Sequence, residues 1–297
     1  MTTDSPQEPL FQAVGILPGK VTFTEDDKIA TVTVSGQKYS LLYIPTKKGL
    51  KAFEALKKQV KSTGNDEFRL IVYPRVIHFP KKDKPHQVAF QLVGFDNGSS
   101  EGICKALKDF EFKISGLWQF IPVCQVPCIS VFKNFTPERL EYVKKSEVYK
   151  RVKFMKGSHL PIFWKDAPIR PFRFNPKLDK EEQGKPMFVS IKAKFLPQRN
   201  VFGFDSLLTL PQAEIPQFFK ASKKMKTEAL QQVKEFKKST STEETNDQEV
   251  NNQPALPKPK VQQLDKPKVQ QLDKPKVQQL DKPKVQQLDE GKSNKNI

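Results

Sequence analysis

The sequence predicts a mainly β protein with a few helices, and three observations support this α+β class. Apolar and polar residues alternate over several short runs, most regularly at 29–34, and a period of two is typical of half-buried strands. Turn signals such as Pro18-Gly19 separate these runs. A helical period is confined to a few stretches, of which 49–61 is the clearest. We therefore expect a β core with attached helices.

The first third of the chain supplies three strands, a helix and two further strands. Ser35-Gly36-Gln37 joins two alternating runs into a hairpin. The helix carries lysines on its outer face, between apolar residues that include Leu50, Phe53 and Leu56. The predicted strands cover 11–17, 29–34, 39–44, 68–79 and 87–95.

This β-β-β-α-β-β order over residues 10–95 resembles the OB-fold, a five-stranded barrel with a helix between its third and fourth strands. The resemblance lies in architecture, since no family-specific motif accompanies it. It implies that one sheet face and its flanking loops bind single-stranded nucleic acid.

The middle of the chain repeats the β pattern, and Thr136-Pro137 adds a helix start with a capping residue followed by proline. We predict an OB-like β module at 10–98, a second β-rich, OB-like module at 99–210 and a basic helix at 211–238. The strands of the second module could instead complete one larger β domain with the first. Its predicted strands cover 110–121, 126–132, 160–164, 172–174, 188–196 and 201–208.

The two ends are predicted to be disordered, at 1–9 and 239–297. The octad Lys-Pro-Lys-Val-Gln-Gln-Leu-Asp occurs four times without change at 258–289. A proline in every octad rules out a continuous helix, because each proline removes a backbone donor. The repeats are therefore either an extended spacer or a string of docking sites for a protein partner.

The charge of the chain points to a polyanionic partner. Of its 51 Lys and Arg and 33 Asp and Glu, only 10 and 9 fall in 239–297, which leaves a net charge of +17 on residues 1–238. This favours nucleic acid first and an anionic membrane surface second. The 23 Phe can fill a β core and still leave rings for base stacking.

Several other classes lack support in the sequence. We find no apolar run near 18 residues, and the first residues do not resemble a signal peptide. Three cysteines fit a reducing cytoplasm better than a disulfide framework. There is no Walker loop or Gly-x-Gly-x-x-Gly, and Cys124 and Cys128 lack a matching His pair. We expect no cofactor, no metal and no catalysis, although an enzyme with an unrecognised site stays open.

Candidate binding residues interleave basic and aromatic side chains, as phosphate neutralisation and base stacking require. Trp164 is the most attractive stacking residue, with a half-buried packing role as its alternative. Tyr73 could likewise belong to the core, with the lysines after it forming a solvated turn. The candidates are Tyr73, Arg75, Lys81, Lys82, Lys84, Lys150, Arg151, Lys153, Trp164, Arg170, Arg173, Lys192, Lys194 and Arg199.

The functional hypothesis from the sequence is non-catalytic binding of single-stranded RNA or DNA with little sequence specificity. The alternative is a protein–protein interaction or scaffold protein, in which β modules bind one partner and the repeats recruit another. The first hypothesis predicts that affinity falls steeply with salt. The second predicts that Lys-to-Glu changes in the basic loops leave nucleic-acid binding untouched, because there is none.

Overall fold

The computed structural model describes residues 9–24, 29–43, 47–81, 83–96, 102–179 and 181–243, all within one compact unit at 1–245. The first eight residues and the predicted tail beyond 243, with its four repeats, lie outside the described residues. The strands are β1 Gln12–Phe23, β2 Ala30–Val34, β3 Gln37–Leu42, β4 Glu67–Ile77, β5 Gln87–Phe95, β6 Glu111–Phe120, β7 Cys128–Val131, β8 Ser158–Phe163, β9 Phe172–Arg173, β10 Met187–Leu196 and β11 Val201–Gln212. The helices are α1 Lys47–Thr63, α2 Ile103–Ala106, α3 Pro137–Lys145, α4 Val148–Met155 and α5 Lys223–Glu243.

The first five strands close into a barrel in the order β1-β2-β3-β5-β4, with β4 pairing back to β1. All of these pairs are antiparallel except β3 with β5. Helix α1 lies between β3 and β4 and buries Phe53 and Leu56. This confirms the mainly β fold class and the architecture of an OB-like barrel.

A second closed circuit of pairings follows in the order β6-β7-β8-β11-β10, with β10 pairing back to β6. Its parallel pair is β8 with β11, which corresponds in position to β3 with β5. The two circuits share one sheet, because Gln12–Gly15 of β1 pairs with Phe112–Ser115 of β6. The division into modules at 10–98 and 99–210 stays a prediction.

Two local features explain why β1 and β6 can sit so close to their neighbours. A Cβ added at Gly15 would overlap the ring of Phe112, and one added at Gly116 would overlap the backbone oxygen of Ser130. Both positions therefore need glycine for steric reasons alone. Each lies in the first strand of its circuit.

The helices follow the sequence signals in part. Thr136 accepts a hydrogen bond from the backbone N–H of Arg139, as expected of an N-cap, and Pro137 opens α3. The basic helix predicted at 211–238 begins only at Lys223, because β11 continues to Gln212, which pairs with Phe188. No helix of the described residues has both the length and the apolar character to cross a membrane.

Candidate functional site

A cleft of about 800 Å³ opens where the two circuits meet. Strands β1, β4, β6, β7, β8, β10 and β11 all contribute to its walls, together with the start of α3. This volume lies in the range of ligand-binding pockets.

The charge of the cleft has a single sign. Five basic side chains line it, and no Asp or Glu occurs among the described residues of its walls. The basic residues come from five different elements or connections and are Arg75, Lys113, Lys133, Arg139 and Lys156. Cations gathered from distant parts of the chain without a carboxylate form a surface complementary to a polyanion.

Lys133 is the most constrained of these cations. Burial lowers its pKa below the ordinary value for lysine, and the nearby charges of Arg75 and Arg139 lower the pKa further. None of the three forms an ion pair with a carboxylate of the described residues. The repulsion between Lys133 and each of the two arginines is unfavourable in the free protein, and an incoming anion would relieve it.

Hydrogen bonds to neutral groups hold the other two cations in place. Arg75 donates from Nη2 to Oε1 of Gln91 across 2.5 Å, and Arg139 donates from Nη1 to the backbone oxygen of Asn134 across 2.7 Å. The Asn134 side chain is fixed in turn, since it accepts from the backbone N–H of Phe11 and donates to the Phe11 oxygen. The guanidinium groups are thus oriented by neutral groups and form no ion pair with a described carboxylate, although the charge of Arg139 contributes to lowering the pKa of the neighbouring Glu138.

Aromatic rings supply part of the cleft wall. Phe11 packs edge-on against Phe132 and Phe188, with ring centroids 5.6 and 5.3 Å apart, so these rings support one another. Tyr73 is different, because its side chain is 39% exposed on the outward face of β4. Tyr73 is therefore the most exposed aromatic ring of the cleft.

Of the predicted binding residues, the cleft brings together Tyr73 and Arg75. The other basic residues of that predicted segment lie in the loop between β4 and β5. Lys81 is exposed there, and Nζ of Lys84 lies 3.9 Å from the ring centroid of Phe79. Lys82 lies outside the described residues.

The predicted cluster Lys150, Arg151 and Lys153 forms part of α4, which leads into Lys156 at the cleft. Lys150 pairs with Glu147 across 3.0 Å, and Lys153 is exposed. The Nε atom of Arg151 is buried without a hydrogen-bond partner among the described residues. These three side chains do not line the cleft.

Trp164 does not have the accessible position that base stacking requires. Its side chain is only 9% exposed, and its ring stacks on Phe204 with centroids 4.3 Å apart and planes 4° apart. The other ring nearby is Trp118, 5.4 Å away. The packing role considered for Trp164 fits this position, and the preceding residue, Phe163, is the one that is 54% exposed.

The remaining predicted residues are dispersed. Arg170 and Lys194 are exposed, and the Arg173 guanidinium lies 4.2 Å from the ring centroid of Phe120. Lys192 pairs with Glu111 across 3.8 Å, opposite Lys113 in the β6–β10 pairing. Arg199 follows β10 and lies 5.9 Å from the ring centroid of Phe163.

Sequence reasoning missed Lys113, Lys133, Arg139 and Lys156 as members of one site. Lys113, Lys133 and Arg139 each stand alone within their own segments, so no local motif marks them, whereas Lys156 ends the basic run at 150–156, which was the available signal. Only the pairing of the two circuits brings these four residues to one cleft.

Among the described residues, no cluster of three His, Cys, Asp or Glu side chains could hold a metal ion. Cys124 and Cys128 are free, buried thiols. Comparison of the chain with protein-family models and with curated proteins found no match to either.

Proposed function

We propose that this protein binds single-stranded nucleic acid in the cleft between its two β circuits, without catalysis. The observation that carries the proposal is the cluster of Arg75, Lys133 and Arg139, three cations that form no ion pair with a described carboxylate. Phosphate groups of a strand would neutralise them, and the exposed ring of Tyr73 would stack on a base.

The OB-like architecture of the first barrel adds to this proposal, because such barrels commonly bind single strands on a sheet face and its loops. The ring of Tyr73 and the guanidinium of Arg75 lie on the outward face of β4. Stacking and phosphate contacts carry little sequence information, so we infer a binder with low sequence specificity.

The test is fluorescence anisotropy with the full chain and labelled single-stranded DNA, single-stranded RNA and duplex DNA of about 12 nucleotides, at two salt concentrations. We expect single strands to bind more tightly than duplex, and affinity to fall steeply with salt. Lys133→Gln and Arg139→Gln should each weaken binding by about three- to tenfold and make the salt dependence shallower.

Lys58→Gln is the matched control, since Lys58 is an exposed lysine of α1 outside the cleft. It removes the same charge and should leave affinity nearly unchanged. Absence of binding to any single strand at low salt would overturn the proposal, and so would equal losses in the cleft variants and the control.

A second candidate function, binding of a protein partner, is favoured by an exposed apolar stretch of β11. Leu208 and Leu210 are 41% and 80% exposed, near the end of a strand. Exposed leucines on such a strand are a usual feature of protein contacts. Light scattering of the wild type and of Leu210→Lys tests self-association through this stretch, with a lower mass expected for the variant.

A further inference from the structure

The end of β8 presents a ring that the cleft does not use. Phe163 is 54% exposed, whereas the next residue, Trp164, is buried. Successive side chains of a strand point to opposite faces, so burial of Trp164 turns Phe163 outward. The guanidinium of Arg199 lies 5.9 Å from the ring centroid of Phe163.

A second pair of an aromatic ring and a cation lies in the loop between β4 and β5 of the first barrel. Nζ of Lys84 lies 3.9 Å from the ring centroid of Phe79. The two segments are bonded to each other, because Nε2 of His86 donates to the backbone oxygen of Asn200 across 2.6 Å. We call Phe79, Lys84, Phe163 and Arg199 the junction patch.

Strands β4 and β8 both run from the cleft towards the junction patch. Tyr73 and Arg75 line the cleft on the outward face of β4, and the same face continues to Ile77, which is 55% exposed. On β8, Ser158 lines the cleft at the start of the strand, and Phe163 at its end points to the opposite face, so the continuous face between the two sites is that of β4. Five residues of strand span about 16 Å, a length that about five nucleotides cover at the 3.4 Å spacing of a stacked strand.

We propose that the junction patch is a second stacking and phosphate-binding subsite for the same single strand that the cleft holds. This inference rests on the function proposed above and extends it from one site to a path. Phe163 stacks on a base, while Arg199 and Lys84 neutralise the flanking phosphates. A duplex keeps its bases paired and stacked, so the subsite selects single strands.

The test compares oligothymidylates of about 4 and about 12 nucleotides, because only the longer strand can reach both subsites. Affinity for the full chain is measured by anisotropy, with the shorter strand added as a competitor. The wild type should bind the longer strand at least tenfold more tightly. Phe163→Ala should remove most of that gain and leave affinity for the shorter strand unchanged, while Phe163→Tyr should retain it.

Phe174→Ala is the matched control, because Phe174 is 62% exposed and lies outside the patch. It should change neither affinity. Thermal unfolding of Phe163→Ala should match that of the wild type, since an exposed ring contributes little to the core.

Two results would overturn the inference about the junction patch without contradicting nucleic-acid binding in the cleft. One is a wild type that binds both lengths equally. The other is a Phe163→Ala variant with unchanged affinity for the longer strand, when Lys133→Gln weakens binding. If the wild type binds neither length, the proposed function itself fails.

Discussion

The imidazole of His86 donates a hydrogen bond from Nε2 to the backbone oxygen of Asn200, 2.6 Å away, and so joins the loop after β4 to the turn after β10. Asn200 also accepts a bond at Oδ1 from the Tyr39 hydroxyl, 2.9 Å away. A third bond across the two circuits runs from His78 Nε2 to the backbone oxygen of His159, across 2.7 Å. These bonds join the two circuits at positions outside the cleft lining, and preorganisation of this kind lowers the entropic cost of binding.

Replacement of Trp164 by alanine should cost stability and not selectively impair binding. The ring is buried against Phe204 and Trp118, and truncation of a buried Trp typically costs about 3–5 kcal/mol. The measurement is the free energy of unfolding in urea for Trp164→Ala. We expect Trp164→Phe to lower this free energy by less. If Trp164→Ala kept the stability of the wild type but bound single strands less tightly, the result would contradict the packing role and support Trp164 as a stacking residue.

Acid should destabilise the protein partly through His159. Burial lowers the pKa of His159 from 6.5 to about 4, while the unfolded chain keeps the ordinary value. Gln119 donates to the Ser130 hydroxyl, which leaves that hydroxyl free to donate to Nδ1 of His159, 2.7 Å away. The folded state therefore holds His159 neutral.

As the pH falls, His159 becomes protonated at a higher pH in the unfolded state than in the folded state. The stability associated with neutral His159 is complete above pH 6.5 and is lost as the pH falls towards about 4, by at most about 3 kcal/mol. The free energies of unfolding of the wild type and of His159→Gln should be compared over this pH range. The carboxylates are common to both proteins, so their contributions to the pH dependence cancel in the difference. A variant with the same pH slope as the wild type would contradict the assignment.

Binding to the cleft should weaken at alkaline pH because of Lys133. Burial and then the charges of Arg75 and Arg139 lower its pKa, so it begins to lose its proton below the ordinary lysine value. A bound phosphate favours the charged form, and binding therefore takes up a proton in this range. Affinity for a single strand should therefore fall in the wild type as the pH is raised towards the ordinary lysine pKa of 10.5.

Lys133→Gln should flatten this dependence, because the variant has no amine at that position. Lys113→Gln removes another charge of the cleft and leaves Lys133 in place, so it should retain the fall with pH. Equal pH profiles for the wild type and Lys133→Gln would contradict the role given to Lys133.

Alanine at Gly15 or Gly116 should destabilise the fold. The added methyl group would overlap the Phe112 ring in one case and the Ser130 backbone oxygen in the other, and overpacking of this kind costs about 1–3 kcal/mol. Gly184 is the control, because the space around it is open within 4 Å. Gly184→Ala should change the free energy of unfolding by no more than about 0.5 kcal/mol.

Local patterning was enough to predict the first barrel. Alternation and turn residues mark β2 and β3, and the spacing of Phe53 and Leu56 marks α1, because each signal acts within a few residues. Helix α4 was missed, since the side chain of Glu147 provides no capping bond at its start. The start of the last helix was placed too early because the pairing of Gln212 with Phe188 is a contact between distant parts of the chain.

The candidate site was predictable only in part, for a related reason. Tyr73 and Arg75 lie two residues apart on one strand face, so their proximity follows from the sequence. Lys133 and Arg139 meet Arg75 only through the pairing of two separate circuits, which no local pattern encodes. Trp164 was chosen for its chemistry, and its burial depends on Phe204 and Trp118, both more than 35 residues away in the chain.

The pairing of β1 with β6 has a consequence for synthesis of the chain. Every strand of the first barrel has left the ribosome once Phe95 emerges, so that ring can close early. At that moment Gln12–Gly15 lacks its partner and presents an open strand edge. This edge is covered only after Phe112–Ser115 have been synthesised. Strand β6 therefore has two roles, because it begins the second circuit and also pairs with the exposed edge of the first barrel.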